Sequence, residues 1–131
     1  MKISLIMMLM FFQLQASSSV LMEKLEWQDT KETAKVKRTW DEAKNYCEEL
    51  SLLGQDDWRL PSIKELQTII APNRKKPAIK KKFKHTKNKN YWSSTPYIKG
   101  NHESWSVNFY RGYTQKKEVA IPYYVRCVRN I

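Results

Sequence analysis

Glycine is scarce in this chain, with three in 131 residues. That count argues against collagen-like repeats and other glycine-rich architectures. Cysteine is limited to Cys47 and Cys127, with no C-x-x-C, and histidine to His85 and His102 in polar stretches. A zinc site or a redox dithiol finds no support in those spacings. Acidic residues number 13 against 24 Lys plus Arg, a formal net charge of +11. No cluster of Asp, Glu or His carries metal-ligand spacing, and no nucleophile stands with a base or ligand set. The expectation is therefore a non-enzymatic protein with no catalytic residue, no metal and no cofactor. Internal repeats are absent, and so are long apolar runs, apart from residues 3–12.

That run follows Lys2 and is shorter than the roughly 20 residues a membrane span needs. Ala16 and Ser18 beyond it are small and spaced for cleavage. Residues 1–18 read as a signal peptide, and 19–131 as one exported domain, periplasmic or secreted, with no transmembrane segment in the mature chain. A hydrophobic content of 41% with five Trp, seven Tyr and four Phe suits a single packed core. In an oxidising compartment two cysteines read as one disulfide, Cys47–Cys127.

Two helix starts are legible. Thr39 with Glu42, and Ser62 with Glu65, have the spacing of capping boxes. Trp40, Ala43, Cys47 and Leu50 then recur at helical spacing, with Gly54 as the stop. Ile63, Leu66, Ile69 and Ile70 form the apolar face of the second helix, which Pro72 closes. Between them, Asp56, Asp57 and Arg59 are close enough to pair with one another or to hold the loop backbone, and Leu60 and Pro61 fix the path of the chain into the second helix. The stretch reads as a rigid corner. A short strand is expected near 24–28 and another at 91–95. A hairpin turns at Arg111-Gly112, with Trp105, Val107 and Phe109 on one face and Ser106, Asn108 and Tyr110 on the other. The final strand places Tyr123, Val125 and Cys127 on one face, with Tyr124, Arg126 and Val128 opposite. Each Trp falls on an apolar stripe or motif position, so core packing is expected of all five.

After Pro72 the composition changes. Residues 74–89 hold Arg74, Lys75, Lys76, Lys80, Lys81, Lys82, Lys84, Lys87 and Lys89 and no acid, so the charge of the chain is concentrated in one loop. Ile79 and Phe83 are its sizeable apolar residues and are expected to anchor it. Nine cations without an acid repel one another, which favours an anionic partner over a merely solvated surface.

Taken in order, LEWQD, TWDEAKNYCEEL, DDWRLPSIKEL, YWSST, W-x-V-x-F with a following Gly, and YYVRCVR resemble the C-terminal domain family of the Legionella collagen-like (Lcl) protein. The resemblance covers nearly all of the chain after residue 18. It rests on Trp40, on Trp58-Arg59-Leu60-Pro61, on Trp92 and Trp105, and on Arg126 in the terminal RCVR. It implies an α+β, C-type-lectin-like fold: two helices packed on a twisted antiparallel sheet, paired terminal strands, and a helix cysteine bonded to a last-strand cysteine. The loops through which calcium-dependent lectins bind sugar are missing here, and Trp105-Ser106-Val107-Asn108 lacks the acid of a calcium site. With both cysteines in the disulfide, the thiol chemistry of the related formylglycine-generating enzymes is not carried over.

What the resemblance implies is adhesion through sulfated polysaccharide. The functional expectation is an adhesin-like binding module for an anionic glycan or cell-envelope polymer, sulfated or phosphorylated. Its ligand residues are the nine cations of 74–89 together with Tyr110, Arg111 and Tyr113. The competing expectation is a structural or protein-interaction domain of the cell envelope whose basic loop is solvated surface. Nucleic acid fits such charge in a test tube, but export removes it as the physiological partner.

Overall fold

A computed structural model describes residues 18–131. The expected signal peptide, residues 1–18, falls outside the described residues except for Ser18. The architecture is α+β, with two helices and two sheets. Strands β1 (Ser19–Met22) and β2 (Leu25–Gln28) open the chain, and a short 3-10 helix follows at Lys31–Ala34. Next come β3 (Lys37–Arg38), α1 (Trp40–Glu49) and α2 (Ile63–Thr68). The second half is β4 (Asn90–Pro96), β5 (Glu103–Asn108), β6 (Tyr113–Glu118), β7 (Tyr123–Tyr124) and β8 (Val128–Asn130). One sheet has the order β1-β2-β8, so the expected pairing of the terminal strands is present. The other has the order β3-β7-β4-β5-β6, antiparallel except where β4 and β7 run parallel at Tyr91 and Tyr124.

Both capping boxes form. Thr39 and Ser62 accept from the backbone N–H of Glu42 and Glu65, and each glutamate accepts back from its cap residue. The helices nevertheless stop earlier than their sequence signals suggest. α1 ends at Glu49 with Leu50 as its cap, and Gly54 instead serves the turn in which Leu52 and Gln55 bond reciprocally, with φ at 74°. α2 ends at Thr68, ahead of Pro72, because Ile70 leaves the helix to pair with Ile79. The Ile69 carbonyl then accepts from Lys80 N–H at 3.0 Å.

The corner at residues 56–61 is pinned to the end of the chain rather than to itself. Asp57 takes Arg129 at 2.6 Å. Arg59 grips Glu65 through both nitrogens at 2.7 and 2.8 Å, and its backbone bonds Val128 in both directions. Of the two roles expected of Asp56, Asp57 and Arg59, pairing with one another is not made among the described residues. Trp58, Leu60 and Pro61 are buried.

The last strand is also not one strand. β7 and β8 belong to different sheets, and Val125, Arg126 and Cys127 cross between them, fully covered. Alternation fails there because both sides of the crossing are packed. It fails on β5 too, where Ser104 and Ser106 are as buried as Val107.

The core has two parts. Trp27, Leu66, Ile69, Ile79, Phe83, Tyr91, Val107, Phe109 and Val128 pack under α2. Ala43, Trp58, Leu60, Trp92 and Val125 surround the Cys47–Cys127 disulfide, whose Cα atoms are 5.5 Å apart. Trp27, Trp58 and Trp92 meet the core expectation. Trp40 and Trp105 are only half-buried: Trp40 donates to the Ser93 carbonyl, and Trp105 stands edge-on to Tyr97.

Candidate functional site

The basic segment has no helix or regular strand of its own, yet its backbone is tied down along its length. Arg74 N–H donates to Ala71, closing a turn after α2. Lys76 and Ala78 then run along the end of β5 and donate to the Tyr110 and Phe109 carbonyls at 3.1 and 2.7 Å. Ala78 and Ile79 are buried, and Phe83 packs edge-on against Trp27, so the expected apolar anchors hold.

The far half is held by a buried ion pair. Asp29, directly after β2, accepts the backbone N–H groups of Lys84 and His85 at 2.9 and 3.0 Å. Arg126 donates to Asp29 at 3.1 Å and to the Gln28 carbonyl, and its other nitrogen reaches the His85 carbonyl and the Thr86 hydroxyl. Thr33 also donates to the His85 carbonyl, and Lys87 N–H donates to the Tyr91 hydroxyl. Arg126 is thus the residue of the RCVR motif that fixes the shape of the loop.

This fastening turns the charges outward. Lys75, Lys76, Lys81, Lys82, Lys84, Lys87 and Lys89 are exposed, while Arg74 and Lys80 are half-buried. Arginine pairing divides cleanly. Arg38, Arg59, Arg126 and Arg129 each hold a carboxylate, whereas Arg74 and Arg111 hold none among the described residues. No lysine of residues 74–89 pairs with a carboxylate there either.

Tyr110, Arg111 and Tyr113 sit at the β5–β6 turn, and the structure brings the first two against the segment. The Lys76 ammonium lies 5.3 Å from the Tyr110 ring centre and the Arg111 guanidinium 5.6 Å from it. A hydrogen bond from Lys76, its charge and that of Arg111 hold the Tyr110 phenol below its ordinary value. Tyr113 is exposed and stands outside this grouping, so the corner is Lys76, Tyr110 and Arg111. Gly112 makes the corner possible. Its φ is 81°, and a Cβ there would lie 2.7 Å from Ile70 Cγ2 and 3.2 Å from the Ala78 Cβ.

Sequence reasoning missed the residues that position the site. Asp29, Gln28 and Thr33 lie about fifty or more positions before the backbone they hold, and local patterning carries no trace of such pairing. The available signal was Asp29 in LEWQD and Arg126 in RCVR as motif residues without an assigned role. Among the described residues no group of three or more His, Cys, Asp or Glu could hold a metal.

No curated protein matches the chain significantly. The sequence model of the Lcl C-terminal domain matches residues 21–129, a span that runs from β1 into β8 and contains both cysteines, the basic segment and the Asp29–Arg126 pair. The chain belongs to the Lcl C-terminal domain family.

Proposed function

We propose that the chain is an exported, non-catalytic binding module that captures anionic polysaccharide, sulfated or phosphorylated, on residues 74–89 and the Tyr110–Arg111 corner. Family membership supports an extracellular binding-type module. No helix among the described residues is long and apolar enough to cross a membrane. The observation that carries the finer reading is the division of the charges. The arginines of the body are neutralised by carboxylates, while the basic segment and Arg111 leave theirs uncompensated on a backbone that cannot move away. Holding like charges together costs free energy, and an incoming polyanion recovers it. Lysine reads sulfate and phosphate as point charges rather than in one fixed geometry, so broad selectivity follows. Binding of this kind weakens with salt as the Debye length shrinks toward about 8 Å.

The test replaces Lys80, Lys81, Lys82 and Lys84 by Ser and measures elution from a heparin column. The variant is expected to elute at clearly lower salt. Its stability should stay within about 0.5 kcal/mol per site, as for surface changes generally. Elution at the salt of the parent would move the site elsewhere and favour the reading of a structural or protein-interaction domain of the envelope.

A further inference from the structure

Tyr113 stands outside the Lys76–Tyr110–Arg111 corner, yet it begins a row of groups that shares one face of the larger sheet. β6 is the margin of that sheet and pairs with β5 alone. Alternation sets Tyr113, Gln115 and Lys117 on the same face of β6, with Asn108 directly across from Tyr113 and Ser106 across from Gln115. Side-chain hydrogen bonds join the row. The Asn90 amide nitrogen donates to Ser106 Oγ at 2.8 Å and to Gln115 Oε1 at 3.1 Å, and its oxygen accepts from Asn108 Nδ2 at 2.9 Å. The Lys117 ammonium lies 5.6 Å from the ring of Tyr123, which stands edge-on to Trp92, and Trp92 is across from Ser106.

The bonds made within the row decide what is left over. Asn90 holds the oxygen of the Gln115 amide, so the Gln115 nitrogen keeps both N–H groups unused among the described residues. Asn108 accepts from Tyr110 N–H and donates once to Asn90, which leaves it one N–H. The Tyr113 phenol has no hydrogen-bond partner, and the Lys117 ammonium no carboxylate, among the described residues. Tyr113 is 46% exposed, and Asn108, Gln115 and Lys117 are half-buried. No acid of β5 or β6 stands on this face, because Glu103 and Glu118, paired across the two strands, alternate to the other.

The result is a strip with an aromatic ring at one end, amide donors in the middle and an ammonium at the other end. It runs for about 14 Å at a strand rise of roughly 3.4 Å per residue. A tyrosine face suits the C–H face of a pyranose, amide N–H groups suit hydroxyl oxygens, and an ammonium suits an anionic substituent. Only Gly112 separates the strip from Arg111, so it prolongs the basic corner rather than forming a second patch.

We propose that the polysaccharide captured by the basic segment continues along β6, where Tyr113, Asn108, Gln115 and Lys117 bind its further sugar units. The inference rests on the reading of the chain as a binder of anionic polysaccharide. It adds recognition of ring faces and hydroxyls to a surface that otherwise reads only charge density.

The experiment titrates the isotopically labelled, disulfide-bonded protein with a heparin octasaccharide and, separately, with the disaccharide. The octasaccharide should shift the backbone resonances of β6 and the side-chain amides of Asn108 and Gln115 together with residues 74–89. Gln115→Ala and Lys117→Ser should each weaken octasaccharide binding about threefold, within the range of one hydrogen bond or one exposed ion pair. Neither should change the affinity for the disaccharide, which is too short to span both the segment and the strip. Added salt should shrink the effect of Lys117→Ser and leave that of Gln115→Ala in place, since only the first is screened. The proposal is overturned if the octasaccharide leaves β6 unshifted or if both variants bind it like the parent. It is also overturned if they weaken the disaccharide equally, which would mark damage to the sheet. Shifts in residues 74–89 without shifts on β6 remove the strip alone. Heparin retention that survives the quadruple loop change, with β6 still shifting, removes the loop reading and leaves the strip standing.

Discussion

Arg126 has no exposed side-chain surface, and the Asp29 carboxylate beside it is 3% exposed. Burying two charges is costly, and the attraction between them offsets the cost only when the remaining donors and acceptors are also satisfied. Here the arginine has four hydrogen-bond partners and the aspartate three donors. Arg126 Nε is left without one, but the guanidinium lies 4.8 Å from the Phe83 ring centre and 5.7 Å from that of Tyr91, which partly compensates it. Asp29→Ala leaves a buried cation and two loop N–H groups unpaired, and should cost about 3–5 kcal/mol in urea denaturation. A loss below about 1 kcal/mol would show that the pair is not what compensates the buried charge. The second pairing of consequence is Arg59 with Glu65. The Arg59 hydrogen bonds hold the Glu65 carboxyl below its ordinary value, against a smaller opposing effect of burial. Its folded value therefore lies below its unfolded one. The stabilisation is fully present above the unfolded value and is lost as pH falls through the folded value. Denaturation measured at stepwise acid pH should show the parent losing more stability than Glu65→Gln across that window, and parallel curves would contradict the assignment. None of this pairing was legible beforehand. Asp57 looked close enough to bond Arg59 and instead bonds Arg129, because a partner 72 positions away leaves no periodic mark.

Elements whose determinants are local were legible, and those decided by their surroundings were not. Both helix starts follow from residues three apart and appear where the capping boxes put them. The helix ends do not follow from Gly54 and Pro72, because Ile70 is drawn off to pair with Ile79 before the proline is reached. The closing YYVRCVRNI was read as one alternating strand, and its division into β7 and β8 reflects packing on both sides of Val125–Cys127, which alternation cannot encode. The β5–β6 hairpin shows the two cases together. Its turn at Arg111-Gly112 was legible. Its role as the wall on which Lys76 to Ala78 rest was not. Gly112→Ala tests that role. The added methyl meets Ile70 and Ala78 at a positive φ, so stability should fall by more than about 1 kcal/mol. Hydrogen exchange at the Lys76 and Ala78 amides should quicken as well. A neutral result in both would mean that turn and segment are packed more loosely than the distances imply.

Across the whole molecule, the disulfide and the β2–β8 pairing close the chain at two places. Cys47 on α1 is bonded to Cys127 across 80 positions, and residues 25–27 pair with 128–130. Replacing both cysteines by Ala should lower stability by about 2–5 kcal/mol, with denaturation of the reduced parent agreeing. An unchanged midpoint would place the stability of the domain in its two apolar clusters alone. The single disulfide could be read in advance from the cysteine count, and the fold class from the order of motifs that resembles the Lcl C-terminal domain family. The shape of the basic segment could not, since it depends on Asp29 meeting Arg126. That meeting has a further consequence for resistance to proteolysis. Nine lysines and arginines in sixteen residues give eight bonds at which a trypsin-like protease can cut, the bond from Lys76 to Pro77 being resistant. Such enzymes need several residues of free, extended backbone, and loops are cleaved where they can peel away. Here the N–H groups of residues 74, 76, 78, 80, 83, 84, 85 and 87 are all engaged. The segment richest in cleavage points is therefore fastened along its backbone rather than free to extend into a protease cleft.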